Sequence, residues 1–383
     1  MIIIYIKNKN NEIKKPRIIS LFSGCGGLDL GFHQAGYQTL WANDINAWAT
    51  KTFTHNFGNV MHEGDIEEID PYHDNTIPEC DLILGGFPCQ DFSMIWKRPG
   101  LNGERGNLYK SFMRFIDAKK PKAFVAENVK GLLSANKNKA IETIIKDFEN
   151  IAPGYLVKIQ LYNFAEYGVP QFRERVLIVG IRKDTGFDFC HPEPTHGTDK
   201  NPYVTVGEAL KDVEKIRDNN EIMNSKPKTI EMLKLIPEGG NFTDIPRDHP
   251  LYVKGMISHV YRRINRNEPS KTIIAAGGGG TWGYHYPEPR PLTNRERARL
   301  QSFPDDFYFI GSIAEVRRQI GNAVPPAGVH ALAKALMPLF TNNYPKADLF
   351  ELSDYLIKLN IKDRLRYDKN LNLKQMNMIC QMT

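Results

Sequence analysis

The chain has 383 residues, 41% of them hydrophobic and 25% charged, with a formal net charge of +6, the values of an ordinary globular protein with one large core or two unequal ones. No stretch approaches the roughly 18 uncharged apolar residues of a membrane-spanning helix, and the apolar start Met1–Ile6 is too short for a signal-peptide core; a cytoplasmic protein with no membrane partner is expected. The five cysteines, at 25, 80, 89, 190 and 380, show no Cys-x-x-Cys spacing, so neither a disulfide framework nor a metal site is expected.

In chain order, apolar runs at Ile18–Phe22, Thr39–Ala42, Leu82–Leu84, Ala123–Ala126, Val157–Leu161 and Val176–Ile181 alternate with amphipathic, helix-length spacers. Strands spaced in this way are joined by right-handed crossovers. Residues from Arg17 to about Arg182 therefore predict an α/β fold, a doubly wound and mostly parallel sheet with helices on both faces. Ligands of such sheets gather at the carboxyl ends of the strands.

The first run ends in Phe22-Ser-Gly-Cys-Gly-Gly-Leu28, a glycine-rich turn that lets a ligand approach the backbone. Asp29 stands where a pyrophosphate fingerprint requires its third glycine, which predicts a cofactor with a nucleoside and no phosphate. Asp44, after the second run, is placed to accept from ribose hydroxyls, and Asp65 from an adenine amino group. Each alone is more often a helix cap or turn residue; together with the glycine turn they outweigh that reading.

Cys89 lies in Gly85-Gly-Phe-Pro-Cys-Gln90 at a strand-to-loop transition, where a thiolate can form. A free cysteine is otherwise a small buried hydrophobe, the reading adopted for Cys25 and Cys80. The polar, glycine-punctuated segment 90–106 has the composition of a closing lid. Downstream, Glu127-Asn-Val129 closes another run, where a carboxylate must be paired, solvated or protonated. Arg173 and Arg175, in Gln171-Phe-Arg-Glu-Arg175, project to one side if extended; an ion-pair network is the alternative. A thiol and an acid delivered at strand ends are suited to attack on a pyrimidine ring.

Between about Phe187 and Pro291 the alternation gives way to proline, glycine, asparagine and charge, which predicts a second, loop-rich domain. Arg262, Arg263, Arg266 and Lys271 precede the glycine run 277–280, and Arg290, Arg295, Arg297 and Arg299 follow it, a clustering that fits a polyanionic partner. A helix over Ala327–Leu339 is expected to return to the first sheet, and the tail 341–383 suggests no role.

These motifs resemble the DNA cytosine-5 methyltransferase family of prokaryotic restriction-modification systems. The resemblance runs in order from Leu21-Phe-Ser-Gly-Cys-Gly-Gly through Gly86-Phe-Pro-Cys-Gln, Glu127-Asn-Val, Gln171-x-Arg-x-Arg175 and Arg295-Glu-Arg-Ala-Arg-Leu-Gln-Ser-Phe-Pro304 to Gly321-Asn-Ala-Val-Pro325. It implies S-adenosylmethionine as cofactor and double-stranded DNA as substrate and partner, with Cys89 adding to carbon 6 of a flipped cytosine and Glu127 supplying a proton to N3. Arg175 would reach the cytosine carbonyl oxygen, while Arg173 would be structural or adjacent to a phosphate. Cofactor contacts carried over are Phe22, Gly24, Gly26, Leu28, Asp44, Ile45, Asp65, Ile66, Pro88, Leu108 and Asn322; Asp44 replaces a more frequent glutamate and Ile45 a frequent tryptophan.

On the DNA side the resemblance nominates Ile95, as a wedge filling the space of the flipped base, together with Arg105, Thr272, Gly278, Gly279 and Trp282. Thr281, Tyr284 and His285 are further candidates for base-edge or stacking contacts. The domains implied are a catalytic one over 1–186 and 312–340, a target-recognition domain over 187–311 and a C-terminal extension over 341–383. A monomer is expected, with a separately acting cognate restriction endonuclease as a candidate partner in protecting host DNA. Three rival readings require residues that differ from these. A tRNA methyltransferase of the same family would show Cys-Phe-Thr in its recognition domain, which this chain lacks; a catalytically dead DNA-binding module would not keep both Cys89 and Glu127; a nicotinamide dehydrogenase needs the missing phosphate fingerprint.

Overall fold

A computed structural model describes residues 14–88, 108–252, 254–255, 260–275 and 282–365. Seven strands, β1 (Arg17–Leu21), β2 (Gln38–Asp44), β3 (Met61–Glu63), β4 (Leu82–Gly85), β5 (Ala123–Val129), β6 (Tyr155–Asn163) and β7 (Glu174–Arg182), form one sheet in the order β3-β2-β1-β4-β5-β7-β6. The first five are mutually parallel, whereas β7 runs antiparallel to both β5 and β6. The expected mostly parallel sheet is therefore present, with two features the apolar runs did not disclose. β3 is too short to stand out as a run. The link Phe164–Arg173 before β7 has no room for the helix that a parallel crossover requires.

Alternation along the strands feeds two cores. On one face, Ile19 and Leu21 of β1 meet Phe112, Phe115 and Ile116 of α3 (Leu108–Lys119) and Ile141, Ile144 and Phe148 of α4 (Lys139–Glu149). On the other, Ile18 meets Leu28 and Phe32 of α1 (Gly27–Gln34) together with Val329, Leu332 and Leu336 of a long C-terminal helix over Pro326–Thr341. That helix is the one expected at Ala327–Leu339, and it does return to the sheet. Between β2 and β3, α2 (Ala47–Phe57) starts where the Asn46 side chain accepts from the amides of Trp48 and Ala49.

Beyond β7 regular structure is sparse, as the composition predicted: α5 (Val206–Ala209), α6 (Pro227–Leu235), the short parallel pair β8 (Arg262–Arg263) and β9 (Trp282–Tyr284), and α7 (Asn294–Leu300). A reciprocal capping box between Thr293 and Glu296 starts α7. Then come α8 (Ile313–Asn322), α9 (the Pro326–Thr341 helix) and α10 (Leu349–Leu356). Met232, Leu233, Phe242, Ile245 and Tyr284 build a small separate core. Leu300, Phe303, Phe307 and Phe309 build another with Val316 and Ile320 of α8 and with Cys25 of the glycine turn, so the loop-rich segment is packed onto the start of the sheet.

Several side chains expected to face DNA are interior. Tyr284 is 1% exposed and His285 6%, so neither presents a ring to a base edge. Arg295, fully buried, donates to the carbonyls of Asp218, Pro304 and Phe307, and Arg263 donates to those of Leu233, Ile236, His285 and Tyr286. In a segment with few ladder hydrogen bonds, buried carbonyls must find other donors, and the five-donor guanidinium supplies them.

The tail also has a structural part. Leu349, Leu352, Leu356 and Leu359 pack into the α1–α9 core, while Ile361 and Leu365 pack into the opposite one, and Arg364 pairs with Glu149 and donates to the Val157 carbonyl. The chain thus passes around β6, the last strand of the sheet, and covers an edge that would otherwise offer unpaired backbone groups.

Two helix-borne glycines fix how close the layers come. A Cβ on Gly27 would lie 2.3 Å from the Val324 carbonyl oxygen, and one on Gly321 would lie 2.2 Å from the Ala275 amide nitrogen. Both neighbours are backbone and cannot swing away. Gly321→Ala is expected to push α8 off the 273–275 segment and to destabilise the protein by about 1–3 kcal/mol, measured as a lowered midpoint in denaturant with unchanged slope.

Candidate active site

A cleft of about 1060 Å³ opens at the carboxyl ends of β1, β2, β4 and β5. Its floor is the glycine turn. Phe22 holds a left-handed backbone, φ 53°, a costly conformation for an aromatic residue that persists where the surroundings enforce it. The enforcement is visible: Ser23 donates both its amide and its hydroxyl to the Asn43 carbonyl, and the Gly24 amide donates to Asp44 Oδ2 at 2.7 Å. The other Asp44 oxygen accepts from the Asn46 amide at 2.8 Å. Asn43 donates to the carbonyls of His62 and Gly64, which sets the turn carrying Asp65, whose carboxylate caps Glu67.

These contacts decide what the floor can hold. The amide that a pyrophosphate would need is already given to a carboxylate, and burial pushes the Asp44 carboxyl above its usual range. Ile45, apolar and 69% exposed, stands beside the cleft. A flat uncharged ring over Ile45, hydroxyls at Asp44 and a cationic centre suit this wall; a phosphate does not. Phe22, Gly24, Leu28, Asp44, Ile45, Asp65, Ile66, Pro88, Leu108 and Asn322 all line the cleft. Gly26 is not on its wall; with φ 91° it turns the chain into α1, and a Cβ there would strike Phe57 at 2.2 Å.

At the other end, Glu127 Oε1 lies 2.8 Å from Arg175 Nε. The antiparallel direction of β7 makes this contact. It brings the amino end of β7 against the carboxyl end of β5, with Val129 opposite Arg175 and Glu127 opposite Leu177. Burial raises the Glu127 carboxyl above its usual range, against the opposing charges of Arg175 and Arg173. Burial, with help from Arg175, lowers the Arg173 guanidinium to about 9. Arg173 donates to the carbonyls of Ile273 and Gly321 at 2.9 and 3.0 Å, so it ties β7 to the loop-rich segment and to α8. Gly86 lets the acid approach, since a Cβ there would be 3.1 Å from Glu127 Oε2.

Cys89, Ile95, Arg105, Gly278 and Gly279 lie outside the described residues, and Trp282 is described through its backbone in β9. Pro88, the neighbour of Cys89, lines the cleft with Glu127 and Arg175. The Thr272 hydroxyl donates to the Phe172 carbonyl at 2.8 Å.

Three contributors were missed from sequence. Asp29, buried, accepts from Ser20 and Thr39 and locks α1 to β1 and β2, with burial raising its carboxyl to about 6; its position in the broken glycine frame was the available signal. Asn128 donates to the Phe87 carbonyl at 3.0 Å and so anchors the strand end before Cys89. Gln171 accepts from the Ile273 amide and donates to Gln301 and the Leu300 carbonyl, joining two of the sequence motifs and the Ile273 segment in one buried amide network.

A sheet of this order with its cleft at the glycine turn and the β4 and β5 strand ends defines a Rossmann-like methyltransferase. A family model for C-5 cytosine-specific DNA methylases matches residues 16–337. The chain is 71% identical over 350 residues to the type II methyltransferase M.NgoFVII of Neisseria gonorrhoeae, covering 90% of this chain and 93% of that one. It is 43% identical over 346 residues to M.BbvI of Brevibacillus brevis, covering 85% and 92%. A prophage-encoded E. coli protein described as a DNA modification methyltransferase has a similar structure, with a TM-score of 0.66 and 26% identity over 85% of this chain and all of the other. The chain belongs to the C-5 cytosine-specific DNA methylase family, as a DNA (cytosine-5-)-methyltransferase of the restriction-modification type. Among the described residues, no helix is long and apolar enough to cross a membrane.

The electrostatics of the pair give a direct test. Arg175→Gln removes the first charge that opposes burial at Glu127, so the carboxyl should hold its proton to higher pH. A protonated-carboxyl infrared band should titrate at higher pH in Arg175→Gln than in the parent and be missing from Glu127→Gln.

Proposed function

We propose that this enzyme flips a cytosine out of duplex DNA and methylates its carbon 5, using Cys89 as nucleophile and S-adenosylmethionine as methyl donor. The observation that carries the reading is Glu127, a buried carboxyl with raised proton affinity, 2.8 Å from Arg175 in the same cleft wall as Pro88. When bound, the cofactor supplies an electrophilic methyl group. Phe22, Asp44, Ile45, Asp65 and Asn322 would hold it, in the cleft whose floor disfavours phosphate.

In this reading the Cys89 thiolate adds to carbon 6, and the electron density it delivers flows toward N3 and the ring carbonyl. Glu127 donates its proton to N3, and Arg175 donates to the carbonyl oxygen, so the charge built by the attack is held by groups already in place. Carbon 5 thereby becomes nucleophilic. After methylation a solvent base takes the carbon 5 proton, the C5–C6 double bond re-forms, the thiolate is expelled, and the N3 proton returns to Glu127. Arg173 acts as a positioning residue, keeping the β7 end, Ile273 and Gly321 in register.

Residues 187–311 serve in this reading as the target-recognition domain, with Thr272 and Trp282 and the segment containing Gly278 and Gly279 on the DNA side, and Ile95 and Arg105 contributed by the lid. The protein acts as a cytoplasmic monomer and protects host DNA from a separate endonuclease. Support for the protective role comes from the type II methyltransferases it resembles.

The test is covalent trapping. A duplex carrying 5-fluorocytosine at the target should become irreversibly joined to the protein, because fluorine cannot leave as a proton, and Cys89→Ser should form no adduct and lose at least about 1,000-fold in methyl transfer. An active enzyme that forms no adduct would overturn the addition–elimination scheme.

A further inference from the structure

We infer that Arg262 is a base-reading residue of this enzyme, donating its guanidinium fork to the O6 and N7 of a guanine in the target site; the inference deepens the duplex-DNA reading and rests on it. Seven arginines flank the glycine run, at 262, 263, 266, 290, 295, 297 and 299. Arg263 and Arg295 are spent on backbone carbonyls. Arg266 is paired with Glu238, Arg290 with Glu288 and Glu296, and Arg299 with Asp305. Arg297 is buried and donates to the Leu292 carbonyl. Among the described residues, the Arg262 guanidinium alone of these has no hydrogen-bond or ion-pair partner, although the residue is half-buried.

Its setting is rigid. Arg262 pairs in register with Trp282, the first β9 residue after the glycine run, and the neighbouring Arg263 is fixed by four carbonyls. The planar guanidinium forms two hydrogen bonds for one ordering of the side chain, and its donors match two adjacent acceptors. Guanine alone presents such a pair, O6 and N7, in the major groove.

A small polar space lies beside Arg262. Arg262 lines a cavity of about 30 Å³ with Glu268, Ser270, Lys271, Thr272 and Ile273, a space sized for one water and too small for a base. Ser270 is 3% exposed, and its hydroxyl finds no partner in this wall; a leftover buried polar group is suited to a water that bridges to a bound base. Ile273, in the same wall, accepts from Arg173 of the catalytic cleft, so the cavity lies one segment away from the chemistry.

The target site is first mapped by bisulfite sequencing of DNA methylated by the parent enzyme. Duplexes are then made with 7-deazaguanine, which lacks the N7 acceptor, at each guanine of the site in turn. One substitution should cost the parent enzyme roughly 10- to 100-fold in kcat/KM. Arg262→Ala should suffer a similar loss on the natural duplex and no further loss on that analogue, and Arg262→Lys should not restore it. Unchanged melting and unchanged S-adenosylhomocysteine binding by calorimetry would show that the variants are folded with an intact cofactor cleft. A loss that is uniform over all sequences, with the salt dependence of binding reduced by about one charge, would make Arg262 a phosphate contact and overturn the proposal; so would an unaltered variant. Failure of the parent to methylate any duplex would instead reject the duplex-DNA reading, and is seen without a variant.

Discussion

A carboxyl group taken out of water beside a guanidinium is the constraint around which this site is organised. Left alone, the buried Glu127 would be neutral; fully paired with Arg175, it would be an inert ion pair. The structure holds it between these limits, with burial pulling its proton affinity up and two arginines pulling it down. Gly86 and Asn128 exist in this arrangement for approach and anchorage: one leaves room beside the acid, the other ties the β4 end to β5.

The contact between Arg175 and Glu127 depends on β7 running antiparallel to β5. A parallel β7 would deliver its amino end to the far edge of the sheet, and both arginines of the motif would leave the cleft. Reversal requires a short return from β6, and the Phe164–Arg173 link is short. The same reversal places Gln171 and Arg173 at the seam with the loop-rich segment, where they bind Ile273, Gly321, Leu300 and Gln301. Charged-group hydrogen bonds of this buried kind contribute about 1.5–3 kcal/mol each. Their arrangement ties the cleft wall to the loop-rich segment.

The sequence disclosed what depends on local chemistry. The glycine turn, the strand-end acid and the paired arginines were legible because each needs a particular residue type beside a run of apolar residues. Strand direction was not legible, since β7 has the same apolar character whichever way it runs, and β3 is only three residues long. Asp44 shows a second limit: as a strand-end carboxylate it was expected to face ribose hydroxyls, and it lines the cleft, yet both of its oxygens also hold backbone amides. A cap and a ligand contact have the same sequence signature because both exploit an exposed acceptor at a strand end.

The basic cluster is less exposed than its residue count suggests, for a related reason. Counting charge treats every arginine as a surface cation, and on that count the chain around the glycine run looks built to grip a polyanion. A loop-rich segment has a competing need. Its carbonyls lack ladder partners, water is excluded from its small cores, and an unsatisfied buried carbonyl costs about 1–3 kcal/mol. Arginine answers that need better than lysine because a planar fork reaches several carbonyls at once, as Arg263 and Arg295 do. Where a carboxylate stands near, as for Arg290 between Glu288 and Glu296, the positive charge is cancelled as well. These arginines therefore leave fewer free donors at the surface than their number implies.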